Sequence, residues 1–126
     1  MAIMGTVVAG RTAILRLTVL GPGDPPRRIE VDAVVDTGFT AALTLPPWVI
    51  SELRLPLRGS RDAFVADGRV TSMDLHRAGV VWEERVRVVP VLAAPGDPLI
   101  GMSLLRGHEL RVEVTNGGAV EIRRLP

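Results

Sequence analysis

Frequent turn signals between short strand-like runs are the feature that most limits the folds open to this chain. Runs of alternating or β-branched residues, such as 14–19 and 29–35, are separated about every eight to twelve residues by Gly, Pro, Asp or Asn. Only two short segments, which begin near Pro47 and Met102, have helical character. The pattern predicts a single all-β domain over residues 1–126, closed or sandwiched, with one or two short helices.

The best-defined strand leads directly into a carboxylate. Alternation in residues 29–35 puts Val31 and Val35 on one face, and Asp36, the next residue, on the other. If the first face is buried, Asp36 is presented outward at a strand end, a position that can hold a reactive acid rigidly. Thr37-Gly38 then completes a tight turn. An ordinary β-turn explains the same triplet, and Asp-Thr-Gly occurs by chance in roughly a few per cent of chains this long.

Three later segments add to this pattern. Residues 58–65 and 69–75 flank Ala66-Asp67-Gly68, a strong short hairpin signal that a plain surface turn explains equally well. Leu99-Ile100-Gly101 is an apolar pair that ends in glycine just before the second helical segment. The chain ends in a hairpin, and its last strand, residues 119–124, can pair either within the chain or with a second copy.

Together, these features resemble the retropepsin-like (retroviral-type) aspartic proteases, specifically their single-domain bacterial members. The resemblance rests on Val34-Val35-Asp36-Thr37-Gly38, on the Ala66-Asp67-Gly68 hairpin and on Leu99-Ile100-Gly101, and it spans residues 5–124. It implies a closed antiparallel acid-protease barrel of a single lobe. It also implies a homodimeric aspartic endopeptidase that hydrolyses peptide or protein substrates.

The resemblance implies a role for each residue of the Asp-Thr-Gly turn. In the family, two aspartates face each other across a two-fold axis and activate a water, so Asp36 would pair with Asp36 of a second copy. Two carboxylates about 3 Å apart share one proton and titrate as a pair. Thr37 would bond across the axis, and Gly38 would let the substrate backbone approach. Because the chain has only one Asp-Thr-Gly, each copy would supply half a site.

The resemblance also implies residues that bind the substrate. Residues 65–69 would form a flap that closes over the cleft, while Ile100 and Gly101 would lie beneath the catalytic turn. Phe39 stands where a small residue usually follows the triplet, so it would line a subsite or turn into the core. The implied flap and cleft residues are Phe39, Thr40, Val65, Ala66, Asp67, Gly68, Arg69, Ile100 and Gly101.

Composition argues against several other functions. The chain has no cysteine, which excludes disulfides and cysteine nucleophiles. His76 and His108, the only histidines, do not have the spacing of metal ligands, so we expect no metal and no cofactor. All 15 basic residues are scattered arginines and aromatic residues make up 3%, which argues against nucleic-acid binding. We find no signal peptide and no membrane-spanning run, and therefore expect a cytoplasmic protein without membrane contact.

Two alternatives stay open at this point. One is a non-catalytic relative whose dimer serves as a protein-binding or scaffolding module. The other is an unrelated β-barrel in which the triplet is only a turn, and it predicts a monomer. Two local expectations concern other residues: Trp48 is expected to cap the core, and Glu83 with Glu84 is expected to form a solvated face beside Arg85.

Overall fold

The computed structural model describes residues 2–64 and 67–126, which form one ten-stranded sheet and two short helices. The mainly β class with two helices is confirmed. Neither helix in these two ranges is long and apolar enough to cross a membrane. The strands and helices are β1 (Ala2–Val8), β2 (Thr12–Leu20), β3 (Arg28–Val35), β4 (Leu43–Leu45), α1 (Pro47–Leu53), β5 (Leu57–Phe64), β6 (Val70–Trp82), β7 (Arg85–Ala93), β8 (Leu99–Ile100), α2 (Met102–Leu105), β9 (His108–Val112) and β10 (Ala119–Arg124).

The strands are hydrogen-bonded in the order β5-β6-β7-β4-β8-β3-β2-β1-β10-β9, and β6 also pairs with β2. Most neighbours are antiparallel, as predicted, but β3 with β8 and β4 with β7 are parallel. The sequence did not predict these parallel pairs because β4 and β8 have only three and two residues, too few for a pattern to indicate direction. The parallel pairing of β3 with β8 brings the ends of these two strands side by side. Closure of the sheet into a barrel stays a prediction.

Alternating apolar residues give β2 and β3 one buried face each. Leu15, Leu17 and Val19 on β2 are 2% exposed or less. They pair across the ladder with β3, where Leu17 lies opposite Val31 and Leu15 lies opposite Ala33. Burial of one leucine or valine side chain contributes about 1.5–3 kcal/mol relative to leaving it exposed. This packed pair of strands is the rigid base from which residue 36 projects.

Helix α1 turns one aliphatic face to the core. Val49, Ile50 and Leu53 are buried, as predicted. The prediction that Trp48 caps the core is wrong, because its side chain is 61% exposed. The three aliphatic side chains already fill the buried face of this seven-residue helix, and the buried tryptophan is instead Trp82, at 3% exposed.

We expect Leu17→Ala to lower the free energy of unfolding by about 2–5 kcal/mol, because it opens a cavity in the core that cannot fully collapse. Leu57→Ala is the matched control, since it removes the same atoms from a side chain that is 63% exposed. Its expected effect is within about 0.5 kcal/mol. Urea unfolding measures both values, and equal losses at the two positions would contradict this description of the core.

Candidate functional site

Asp36 is held at the end of β3 by the main chain of the β8 region. Its backbone N–H donates to Ile100 O at 2.9 Å, and the Val34 N–H donates to Pro98 O at 2.8 Å. In the parallel register, Val35 lies opposite Ile100, which is fully buried. The backbone of Asp36 is therefore fixed from below, while its side chain is only half-buried.

The residues after Asp36 fold into a tight turn around its carboxylate. The Gly38 N–H donates to Asp36 Oδ1 at 2.9 Å, and the Phe39 N–H donates to Asp36 O at 3.2 Å. Gly38 does not have a positive φ, so the backbone conformation alone does not require glycine. A Cβ at this position would lie 3.3 Å from Asp36 Oδ1, so glycine keeps the space beside the carboxylate open. Thr37 and Gly38 are both exposed.

The segment after the turn is held by the start of α2. The N–H groups of Gly101, Met102 and Ser103 donate to Ala42 O at 3.0 Å, Phe39 O at 2.8 Å and Ala41 O at 3.3 Å respectively. The Ser103 hydroxyl donates to Thr40 O at 2.6 Å. Four consecutive carbonyl groups, those of residues 39–42, are thus satisfied by one short helical turn, which fixes the loop beside Asp36.

Gly101 lies where this loop comes closest to α2. A Cβ on residue 101 would lie 2.1 Å from Ala41 O and 2.6 Å from both Phe39 O and Phe39 Cδ2. The Phe39 ring therefore rests against Gly101 and is half-buried. Ile100 and Gly101 are both buried and support the turn from beneath. Their contribution to substrate binding stays a prediction.

The predicted flap corresponds to the hairpin of β5 and β6, in which Phe64 lies opposite Val70. Of its predicted tip residues, Val65 and Ala66 lie outside the described residues. Asp67 accepts two hydrogen bonds from Arg69, one from the backbone N–H at 3.0 Å and one from Nε at 2.6 Å. Gly68 has a φ of +85°, which favours glycine. The role of residues 65–69 as a flap stays a prediction.

Two supporting residues had no signal in the sequence. Ser103 bonds to a carbonyl 63 positions earlier, and the buried Thr44 on β4 accepts a hydrogen bond from the Leu99 N–H at 2.9 Å. Thr44 thus joins β4 to β8 next to Ile100. Both residues look like ordinary polar positions in the sequence, and only the fold reveals their partners.

Glu83 was expected on a solvated face, and this expectation is wrong. Its side chain is 14% exposed and lies 2.7 Å from His108 Nε2 and 3.0 Å from Arg124 Nη2. The hydrogen bond to His108 and then that to Arg124 hold the pKa of Glu83 below its ordinary value. The cluster joins the turn between β6 and β7 to the hairpin of β9 and β10. His108 and Arg124 lie 25 and 41 positions after Glu83 in the sequence, which is why local pattern missed the cluster.

The arrangement supplies one well-positioned acid. Asp36 can accept or donate a proton, but among the described residues its carboxylate shares a hydrogen bond only with the Gly38 N–H. No three His, Asp or Glu side chains in residues 2–64 and 67–126 come together in a way that could hold a metal ion. The chemistry available to a single copy is therefore that of one carboxylate at an exposed turn.

Comparison with known proteins identifies the fold. No family model matches the chain, and no curated protein matches it. Among solved structures, the chain is similar to a retropepsin-like aspartic protease from Rickettsia conorii, with a TM-score of 0.65 over 98% of this chain and 90% of that one. The sequence identity is 16%, so the likeness shows the fold alone. The chain has the retropepsin-like fold that its sequence resembles.

We expect Gly101→Ala to lower the free energy of unfolding by about 3 kcal/mol or more, because the new methyl group would overlap two backbone oxygens. Gly38→Ala is the matched control, since its Cβ would meet only one side-chain oxygen, at 3.3 Å. Thermal unfolding of the two variants provides the measurement. A Gly101→Ala protein as stable as Gly38→Ala would show that the loop can move away from α2.

We expect Glu83→Gln to destabilise the protein at neutral pH, because the lowered pKa of Glu83 means that its charged form is favoured in the folded state. A carboxyl group of this kind contributes stability above its ordinary pKa of 4.5, and the contribution is lost as the pH falls through the lower folded value. The stability difference between the parent and Glu83→Gln should therefore shrink in acid. Glu84→Gln is the control, because Glu84 is exposed. A difference that does not change with pH would refute the assignment.

Proposed function

We propose that this protein is a homodimeric aspartic endopeptidase, in which Asp36 and the partner's Asp36 activate a water that attacks the peptide bond. The observation that carries the proposal is the way Asp36 is held: a strand end fixes its backbone to Ile100, and its carboxylate faces an exposed turn. The retropepsin-like fold supports the same interpretation, since the similar structure from Rickettsia conorii is described as an aspartic protease.

The mechanism needs two acids in different protonation states. Two carboxylates that meet at about 3 Å cannot both ionise, so the pair shares one proton. The ionised member takes a proton from water, and the protonated member polarises the carbonyl of the scissile bond. Because the sequence contains a single Asp-Thr-Gly, the second acid comes from a second copy.

The neighbouring residues take supporting roles in this proposal. Thr37, exposed beside Asp36, bonds across the two-fold axis and keeps the two acids in register. Gly38 leaves room for the substrate backbone. Residues 65–69 close over the bound peptide and exclude water. Thr40 is exposed and lines the edge of the proposed cleft. Phe39 rests against Gly101 and contributes one edge of its ring to the same cleft.

A second candidate is a non-catalytic dimer that binds a protein. The observation in its favour is the hairpin tip, where Asp67 and Arg69 pair with each other and make a polar surface instead of an apolar clamp. This candidate predicts a dimer whose binding is indifferent to the charge of Asp36. The test below separates the two candidates.

We expect Asp36→Asn to reduce peptide cleavage by about 10²-fold or more, because the variant pair lacks the ionised base. In the parent, the rate should peak at mildly acidic pH and fall on both sides, since one carboxyl must be ionised and the other protonated. Asp24→Asn, in an exposed loop, is the control and should leave the rate unchanged. Mass spectrometry of a mixed peptide substrate measures the rates, and equal cleavage by Asp36→Asn and the parent would rule out the mechanism.

A further inference from the structure

Strand β9 forms one end of the sheet. In the part of the chain that the structure describes, its neighbours in sheet order are β10 on one side and no strand on the other. β10 itself lies between β1 and β9, so both of its edges are occupied. Of the two possibilities for residues 119–124, the structure therefore supports the hairpin within the chain. An edge available to a second copy lies on β9.

The backbone of β9 presents its unused polar groups at regular positions. The Glu113 N–H donates to Ala119 O and the Leu125 N–H donates to Gly107 O, each at 2.9 Å, which sets the hydrogen-bonded pairs of the ladder. Bonding direction alternates along an antiparallel strand. The backbone groups of residues 109 and 111 therefore face β10, while those of residues 108, 110 and 112 point out of the free edge.

The exposed face of β9 carries a charge pattern that continues from β10. Glu109 lies opposite Arg123, and Arg111 lies opposite Glu121. Glu109 and Arg111 are exposed, whereas the alternate residues 108, 110 and 112 are half-buried on the other face. Opposite charges in directly opposed pairs stabilise a sheet, and like charges destabilise it. One further strand fits this face well if it continues the alternation of sign.

We propose that β9 pairs antiparallel with β9 of a second copy, centred on Leu110, and that this interface brings the two halves of the Asp36 site together. In this register Glu109 faces the partner's Arg111, and Leu110 faces the partner's Leu110. The outward backbone groups at 108, 110 and 112 then exchange hydrogen bonds across the two-fold axis. The proposal rests on the proposed function, which requires a second copy.

The site and the edge are close together in the fold. Thr37 of the catalytic turn and Leu110 of β9 line the same surface cavity, together with Met102 at the start of α2. Met102 is 48% exposed, so this apolar side chain is available at the same surface. A two-fold axis beside Leu110 therefore passes near the turn that must meet its own copy.

Other arrangements fit less well. A pairing centred on Glu109 or on Arg111 would set that charged residue opposite its own copy, which is unfavourable. The other end of the sheet, β5, has a register shift between Leu57 and Gly59, where Gly59 has a φ of +135°. Such a bulge is a common device that protects an edge from pairing. The β9 ladder has no register shift.

Two single substitutions and their mixture test the register. In each symmetric pair of the homodimer, Glu109→Arg would set two arginine side chains against each other, and Arg111→Glu would set two glutamate side chains against each other. We expect each to weaken the homodimer by roughly tenfold or more, because both symmetric pairs become like-charged.

No like-charged pair forms across the interface in a heterodimer of the two variants. One chain carries arginine at both positions 109 and 111, and the other carries glutamate at both, so each pair joins an arginine to a glutamate. An equal mixture of the two variants therefore restores opposite charges and should form a heterodimer about as stable as the parent dimer. Sedimentation velocity over a concentration series measures the parent, the two variants and the mixture.

Arg123→Glu is the matched control. It makes the same charge change as Arg111→Glu on the same sheet face, but one strand away from the edge. It should leave the dimer intact. Recovery of the dimer on mixing also demonstrates that both weakened variants are folded, because an unfolded chain could not assemble.

Several results would overturn the interface. They are a monomeric parent, a single variant that dimerises like the parent, and a mixture that does not recover. Failure of the proposed function is distinguishable from failure of the interface. If the parent cleaves no peptide but the variants show the predicted dimer pattern, the interface is supported and the catalytic function is refuted. If cleavage by the parent depends on Asp36 but the charge variants dimerise like the parent, the catalytic function is supported and the interface is refuted.

Discussion

The candidate site depends on the close contact between Gly101 and the carbonyl groups of residues 39–42. Only a residue without a Cβ lets the start of α2 approach so near that three backbone N–H groups and the Ser103 hydroxyl satisfy those carbonyls. The same region of chain holds Asp36 through Ile100. The absence of a side chain at residue 101 thus permits the contact that fixes the loop, and the preceding residue holds the acid.

The turn after Asp36 and the edge strand β9 lie side by side in the fold. β3 delivers a single acid to the surface, and the hairpin of β9 and β10 extends the sheet beside it. The Glu83 cluster fixes that hairpin to the turn between β6 and β7 through His108 and Arg124. Strand β9, which we propose pairs with a second copy, is therefore anchored by the contact of His108 with Glu83, and the His108 side chain lies on the face opposite Glu109 and Arg111.

Local pattern predicted what is locally encoded. Alternation in residues 29–35 placed Val31 on the buried face, and the structure agrees; the Asp-Thr-Gly turn follows from the same run of sequence. The parallel pairs of β4 and β8 depend on contacts between segments far apart, which a two- or three-residue strand cannot encode. Trp48 was misplaced because hydrophobicity alone does not reveal that aliphatic neighbours have filled the buried face.

The central claim is that each copy contributes one indispensable acid to a shared site, and subunit mixing tests it most directly. Parent protein would be mixed with the Asp36→Asn variant in varied ratios at constant total concentration, allowed to exchange subunits, and assayed for peptide cleavage. We predict that the rate follows the square of the parent fraction, because only pairs with two Asp36 side chains are active. A rate that falls linearly with the parent fraction would mean that each copy acts alone, and would contradict the claim.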